Sequence, residues 1–473
     1  SVASNPGVHN FDASLGCLSA SALERLAAQL LEIPLDSPEQ QVVLAAAREA
    51  LCDALHAKLS RVLILELNGA RVTGQLLGAD KYERWNHFLE LSAQPEFWRG
   101  LAANYPDLER RVRTLVENRC NAVLAFATHF AADREALDAF HGAPLGPLRA
   151  VSFGAGDTHL GGKTVAIVDC ADGQIVCKPR SLAIDNALAD FVAWLLPRLP
   201  TASTMRVPRA LDRGHHGWAE FVPHRYAADD GELRAFYRGI GHWLAVMRLL
   251  AGKEPHAQKL IAQGASPVIV DCETLFVPDR AGRPTGLGEA FDQAASLISG
   301  SVLGVGLLPG RAMALGFRGM DFSGLGMLPG QQPKMPQPAI LDAGTDEARI
   351  GMEMVDAPLA RNHPSPQPAL ARSWGEVLEG FDEVTAVLRA EDATGALEPA
   401  LARFRGCTVR LVPRATEAYS EIARMLWHPV SLHKPAPAVE RAEGLLRKMA
   451  ANLALAPHCL GEIRARVEDH HVG

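Results

Sequence analysis

Residues 156–195 read GDTHLGGKTVAIVDCADGQIVCKPRSLAIDNALADFVAWL. Thr164 to Cys170 is a short apolar run with β-branched residues, Asp172-Gly173 supplies a tight turn, and Gln174 to Lys178 continues as a second strand. The pair predicts a hairpin entered through the glycine-containing segment SFGAGDTHLGGK. A helix is predicted from about Ile184 to Leu196, and another strand near Trp218 to Val222. From Phe236 to Leu250 the apolar residues return to helical spacing (Phe236, Ile240, Trp243, Leu244, Met247, Leu250), and Gly252 ends that helix. The polar turn KEPHAQK follows. Pro267 to Val270 then reads as a buried strand that delivers Asp271 and Glu273 at its end.

This is a kinase's order of parts: glycine-containing loop, hairpin ending in Lys, buried helix, polar turn, apolar strand ending in a carboxylate. Phosphoryl transfer needs backbone amides and a Lys to hold phosphate charge, a carboxylate to hold Mg2+, and a polar turn to align the nucleophile. Each element alone has a plainer reading. A Lys at a strand end is usually just solvated, and an Asp ending an apolar strand more often caps the next element. The shared order is what favours the kinase-like interpretation.

Outward from this segment, the first third reads as helix. Leu18 to Leu31 carries an apolar face, with Ser21 and Glu24 at capping-box spacing, and a second helix is predicted from about Gln40 to Leu59. A longer one follows Pro106, and Pro144, Gly146 and Pro147 mark a domain boundary. Residues 301–372, rich in Gly, Pro and Met, read as long loops with short helices. The chain closes with helices from about Trp374, interrupted by Thr408 to Pro413.

Composition narrows the class. With 48% hydrophobic and 21% charged residues the chain has the balance of a soluble globular enzyme, and a net charge of -7 without a basic run argues against a nucleic-acid partner. No apolar stretch is long enough for a membrane span, and the N-terminus lacks a signal-peptide pattern. The eight cysteines form no CxxC, so they read as small buried hydrophobes of a reducing cytoplasm rather than as a structural zinc site.

Residues 156–195 resemble the signature region of class II lanthipeptide synthetases. So do GWAEFV at 217–222, FYRGIGHWLAVMRLLAGKEPHAQKLIAQGASPVIVDCETLF at 236–276, SVLGVGLLPG at 301–310, DFSGLG at 321–326 and VRLVPRATEAYSEIARMLWHP at 409–429. KPRS and DCETLF at this separation are the specific elements. The resemblance implies an α+β fold with a two-lobed lipid-kinase-like core and added N-terminal and C-terminal helices. It implies a helical region 1–148, an N-lobe 149–235, a C-lobe 236–430 with elimination residues, and closing helices 431–473. The implied activity is that of a dehydratase: ATP-dependent phosphorylation of Ser and Thr in a precursor peptide, then phosphate elimination to dehydroamino acids. The implied partners are that peptide with its leader and a cyclase domain, separate or downstream, which is expected to be absent from this chain.

Residue by residue, the resemblance assigns Lys178 of KPRS to the nucleotide phosphates and Asp271 and Glu273 to the metal, while Arg180, Asp271 and Lys259, whose ammonium could bind phosphate directly, are further nucleotide-binding candidates. Asp157, His159, Arg410 and Thr416 match elimination residues: a cation stabilises the departing phosphate, and a base removes the α-proton. The catalytic turn departs from the family's Asp-x-His-x-x-Asn, since Glu254, His256 and Lys259 stand there. An Asn offers Mg2+ a neutral oxygen, whereas an ammonium has no lone pair and repels the ion. A single or weakly bound Mg2+ is therefore expected. Three readings stay open: a peptide dehydratase, an altered nucleotide-transfer or elimination-only enzyme, and a pseudokinase that serves as a leader-peptide scaffold.

Overall fold

A computed structural model describes residues 11–155, 158, 161–253, 255–277, 287–310, 313–314, 317–318, 321–330, 334–357, 361–410 and 416–451. The fold is α+β. The chain divides into two compact units, one drawn from Ser1–Pro179, Pro336–Val355 and Arg414–Gly473, the other from Arg180–Met335 and Asp356–Pro413.

The first unit is built on long helices. Asp12–Leu30 buries Leu15, Leu23, Leu26 and Leu30, spaced three, four and eight apart. Ser37–Val72 buries Val43, Ala47, Leu51, Leu55, Leu59 and Val62, and Leu108–Ala132 buries Val112, Leu115, Val116, Val123, Phe126 and Phe130. Glu39 joins helix to sheet. Its side chain completes a capping box with Asp36, and its Oε1 accepts from Arg134 Nη2 (3.0 Å) and from the backbone N–H of Leu148 (2.8 Å). Leu148–Phe153, Ala166–Cys170 and Gln174–Lys178 follow as antiparallel strands, with Val151 opposite Val168 and Val168 opposite Ile175. The helices Thr416–Leu426, Pro429–His433 and Pro435–Ala451 belong to the same unit.

The second unit is centred on the helix Asp230–Leu249, where Phe236, Ile240, Trp243 and Val246 are fully buried. Asp229 caps it by accepting from the N–H of Glu232. The helix lies directly against Trp374–Ala393. Two glycines set that approach. A methyl group on Gly241 would lie 2.1 Å from the Val377 carbonyl oxygen, and one on Gly380 2.2 Å from that of Arg238. Trp243 Nε1 donates to Pro267 O (2.8 Å), which fixes the hairpin Leu260–Gln263/Ser266–Ile269 to the helix. Ala183–Leu195 completes the core with Leu188, Phe191 and Leu195.

Three local expectations change. The first helix starts at Asp12, so Ser21 and Glu24 lie in its interior, and Ser21 Oγ accepts from Arg25 instead of capping. The second helix runs on to Val72 because its buried stripe continues through Leu63 and Leu67. Within 301–372 the chain forms two eight-residue strands, Lys334–Leu341 and Arg349–Asp356, paired with each other. No helix among the described residues is long and apolar enough to cross a membrane.

Candidate functional site

Arg180 emerges at the start of the second unit. Ser181 Oγ and the N–H of Leu182 both donate to Asp212 Oδ1, at 3.0 and 2.7 Å, and this anchors the entry to helix Ala183–Leu195. Asp185 in the helix's first turn is buried, and its Oδ2 accepts from Arg180 Nη1 at 2.7 Å. The Arg180 guanidinium is thereby turned towards the end of the 260–269 hairpin.

The hairpin register puts Leu260 opposite Ile269, so Lys259 and Asp271 flank its open end. The N–H of Val270 donates to Lys259 O (2.9 Å) and holds the two branches together there. Lys259 Nζ lies 3.4 Å from Asp271 Oδ2, with the two side chains 13% and 26% exposed. Asp271 Oδ1 accepts from Arg180 Nη2 at 2.6 Å. Beyond Asp271, Glu273 Oε2 sits 3.4 Å from Arg180 Nε, and its Oε1 accepts from Arg410 Nη1 at 2.7 Å. The Arg410 backbone N–H donates to Glu273 O as well (2.7 Å), so Arg410 is tied to this strand end twice.

The result is a continuous ionic row, Lys259–Asp271–Arg180–Glu273–Arg410, with Asp185 as a further carboxylate on Arg180. Burial penalises the Arg180 guanidinium, but Asp185, Asp271 and Glu273 outweigh it and hold its pKa above the ordinary arginine value. The three cations and three carboxylates balance in formal charge.

The strand end is braced from below. Thr274 Oγ1 donates to Lys253 O (2.6 Å), and the N–H of Phe276 donates to Leu250 O (2.7 Å). Phe276 adopts φ +53°, a left-handed conformation unusual for an aromatic residue, with its ring edge-on to Phe404. The turn after Gly252 is held by the N–H of Ala257 donating to Phe322 O (3.1 Å). Buried Asn362 Nδ2 donates to Gly324 O and Gly326 O, at 2.7 and 3.0 Å, which secures the DFSGLG segment.

Of the residues singled out from sequence, Arg180, Lys259, Asp271, Glu273 and Arg410 converge. Half-buried His256 lies on the same turn as Lys259, whose N–H donates to His256 O (2.8 Å). Lys178, in the other unit, ends its strand as a buried residue, and Thr416 opens the helix Thr416–Leu426. Asp157, His159 and Glu254 lie outside the described residues. Asp185 was missed. An acidic residue in the first turn after KPRS was the available signal, since such a position faces a helix N-terminus.

Whether Asp271 and Glu273 fit Mg2+ depends on where their oxygens point. Each of the four faces a protein cation: Arg180 and Lys259 for Asp271, Arg180 and Arg410 for Glu273. An ion bound by these carboxylates would share each oxygen with an ammonium or a guanidinium, and the nearby positive charge would repel it. This arrangement weakens the pair as Mg2+ ligands.

Residues 105–466 match the family described as "Domain of unknown function (DUF4135)". Over 277 residues the chain is 23% identical to the lacticin 481/lactococcin biosynthesis protein LcnDR2 of Lactococcus lactis subsp. lactis. That alignment covers 55% of this chain and 29% of the relative, so the chain spans well under half the length of the curated protein it matches. With the KPRS and DCETLF segments joined through Arg180, Asp271 and Glu273, these matches show that the chain belongs to the DUF4135 family and carries a class II lanthipeptide synthetase-type domain.

Proposed function

We propose that this domain acts in lanthipeptide maturation as a dehydratase of Ser and Thr in a precursor peptide. The observation that carries this reading is the Arg410–Glu273 pair. It links a residue matched to elimination with a residue matched to phosphoryl transfer, in one row of charges. Bound ATP would supply the phosphoryl group that turns a hydroxyl into a leaving group, with Lys178 as the lysine matched to its phosphates. In the second half-reaction a base removes the α-proton, the electron pair forms the Cα=Cβ bond, and the Cβ–O bond breaks to release phosphate. Arg410, 37% exposed while bonded to Glu273, is the cation suited to that departing charge. Asp157, His159 and Thr416 are further elimination candidates on the strength of their family match.

The cation pairing of Asp271 and Glu273 favours a second reading, in which only the elimination half is active and phosphate arrives by another route. Intact-mass analysis separates the two. The chain is incubated with ATP and a Cys- and Ser/Thr-rich precursor peptide from a neighbouring gene, and separately with a synthetic phosphopeptide of the same sequence. Loss of about one water per modified residue with ATP supports the full dehydratase. Elimination from the phosphopeptide alone supports the second reading, and neither product refutes both. In an active enzyme, Arg410→Ala is expected to accumulate phosphopeptide. Lost phosphorylation with intact elimination of supplied phosphopeptide would move Arg410 to the other half-reaction.

A further inference from the structure

Outside the ionic row, metal-type ligands converge in the helical unit. Cys52 and His56 are four residues apart on the helix Ser37–Val72, so both side chains leave the same face about one turn apart. Asp12, at the first turn of helix Asp12–Leu30, meets them. Asp12 Oδ1 accepts from His56 Nε2 at 3.0 Å and from Cys52 Sγ at 3.3 Å. All three ligand atoms lie within 4.8 Å of one another.

The two Asp12 separations are close to those of a tetrahedral ion. With metal–nitrogen and metal–oxygen bonds of about 2.0–2.1 Å and a metal–sulfur bond of about 2.3 Å, neighbouring ligand atoms on a tetrahedron stand roughly 3.3–3.6 Å apart. The Asp12 contacts are slightly shorter because protons, not a metal, occupy the space between the atoms. The donor set is chemically selective too. Thiolate and imidazole together favour a borderline-soft ion over Mg2+ or Ca2+. On the far side of the imidazole, Ser60 Oγ lies 3.5 Å from His56 Nδ1, where an outer partner would orient a ligating ring. The Asp12 side chain is 50% exposed and that of His56 14%, so the cluster is open to water on one side.

We infer that Asp12, Cys52 and His56 form a zinc-class site, with a water molecule as fourth ligand, that fastens the start of the first helix to the second. The cysteine spacing gave no hint of it. A Cys-x-x-x-His pair is a weak signal, and the third ligand comes from 40 residues upstream.

Co2+ and Zn2+ alone are the probes, on the chelator-treated full chain. One Co2+ per chain is expected, with a near-ultraviolet thiolate-to-cobalt charge-transfer band that Zn2+ abolishes. Cys52→Ser should eliminate the band, and Asp12→Asn and His56→Gln should each weaken binding by about tenfold or more. Melting of the metal-free variants confirms that they fold. A measurement on the unaltered chain stands independently of them: Zn2+ should protect Cys52 from alkylation, read by peptide mass mapping, while leaving Cys17 and Cys407 as reactive as before. A band that survives Cys52→Ser, no band at all, or Cys52 alkylation unaffected by Zn2+ would overturn the assignment.

Discussion

Replacing Lys259 by Asn, together with Glu254 by Asp, removes the ammonium that stands 3.4 Å from Asp271 Oδ2. At that separation two unit charges attract by about 5 kcal/mol at an effective dielectric constant of about 20. The net effect on a metal is smaller. Arg180 stays on the other Asp271 oxygen at 2.6 Å, and the vacated side of a carboxylate that is 26% exposed admits water. Desolvation and relaxation offset much of the gross attraction in such half-buried pairs, leaving a net change of about 1.4–2.8 kcal/mol. This corresponds to a gain of about ten- to a hundredfold in Mg2+ affinity. Mg2+ titrations of the wild type, Lys259→Asn and the double variant, followed by calorimetry and by binding of a fluorescent ATP analogue, measure it. The single variant should provide most of the gain, because the competing charge is the Lys259 ammonium. Phosphorylation of the peptide should rise in parallel. Two ions bound to the wild type at ordinary kinase affinity would refute the reasoning, as would a double variant that binds Mg2+ no more tightly than the wild type.

Other consequences follow from the packing and the buried charges. Gly380→Ala should destabilise the second unit by about 1–3 kcal/mol, measured by urea unfolding, because the added methyl meets the Arg238 carbonyl oxygen and separates two packed helices. Asp107→Ala strands the fully buried Arg111, whose Nε donates to Asp107 at 2.8 Å, and should cost about 3 kcal/mol in the same assay, whereas a loss below 0.5 kcal/mol would mean that the Leu426 carbonyl suffices. His242 is fully buried between Ser203 and Glu383, and burial lowers its pKa despite the Glu383 carboxylate. The unfolded chain then binds the proton more readily, so stability should fall as pH drops through about 6.5 towards the lower folded value, by at most about 1.4 kcal/mol per pH unit for this proton. His242→Gln should flatten that slope in chemical-denaturation curves at pH 5.5 and 7.5, and an unchanged slope would assign the acid sensitivity to another group.

The hairpin and the central helix were legible because their patterns are local and strong. Ala166–Cys170 and Gln174–Lys178 alternate around Asp172-Gly173, and Asp230–Leu249 repeats its apolar positions at helical spacing. The strands Lys334–Leu341 and Arg349–Asp356 were not legible. Lys334–Leu341 alternates exposed and half-buried positions and Arg349–Asp356 spaces Ile350, Met352 and Met354 two apart, but neither strand buries a continuous face, and Pro336 and Pro338 argue against the first. The start of the first helix was misplaced because a Ser-x-x-Glu spacing is compatible with a helix interior as well as with its cap. At the site, Arg180, Lys259, Asp271, Glu273 and Arg410 could be named from the chain, but not the pairing between them. The partners lie 91 residues apart for Arg180 and Asp271 and 137 for Arg410 and Glu273. No periodicity carries information over such separations.

That pairing changes the chemistry assigned to each residue. The sequence placed Glu273 with a metal and Arg410 with a departing phosphate, as members of separate steps. Bonded at 2.7 Å, they offset each other's charge. A phosphate dianion approaching Arg410 must compete with Glu273, and a cation approaching Glu273 must compete with Arg410 and Arg180. Asp271 stands in the same relation to Lys259 and Arg180. An anion that draws Arg410 away uncovers Glu273, and a cation that takes Glu273 releases Arg410. In the proposed dehydratase, phosphate and metal binding would therefore be coupled through this row, each strengthening the other. With Lys259 holding the position that Asn has in the family pattern, the row keeps its own neutrality without a divalent ion. The replacement thus acts on the whole chain of charges from Lys259 to Arg410, not on one ligand position.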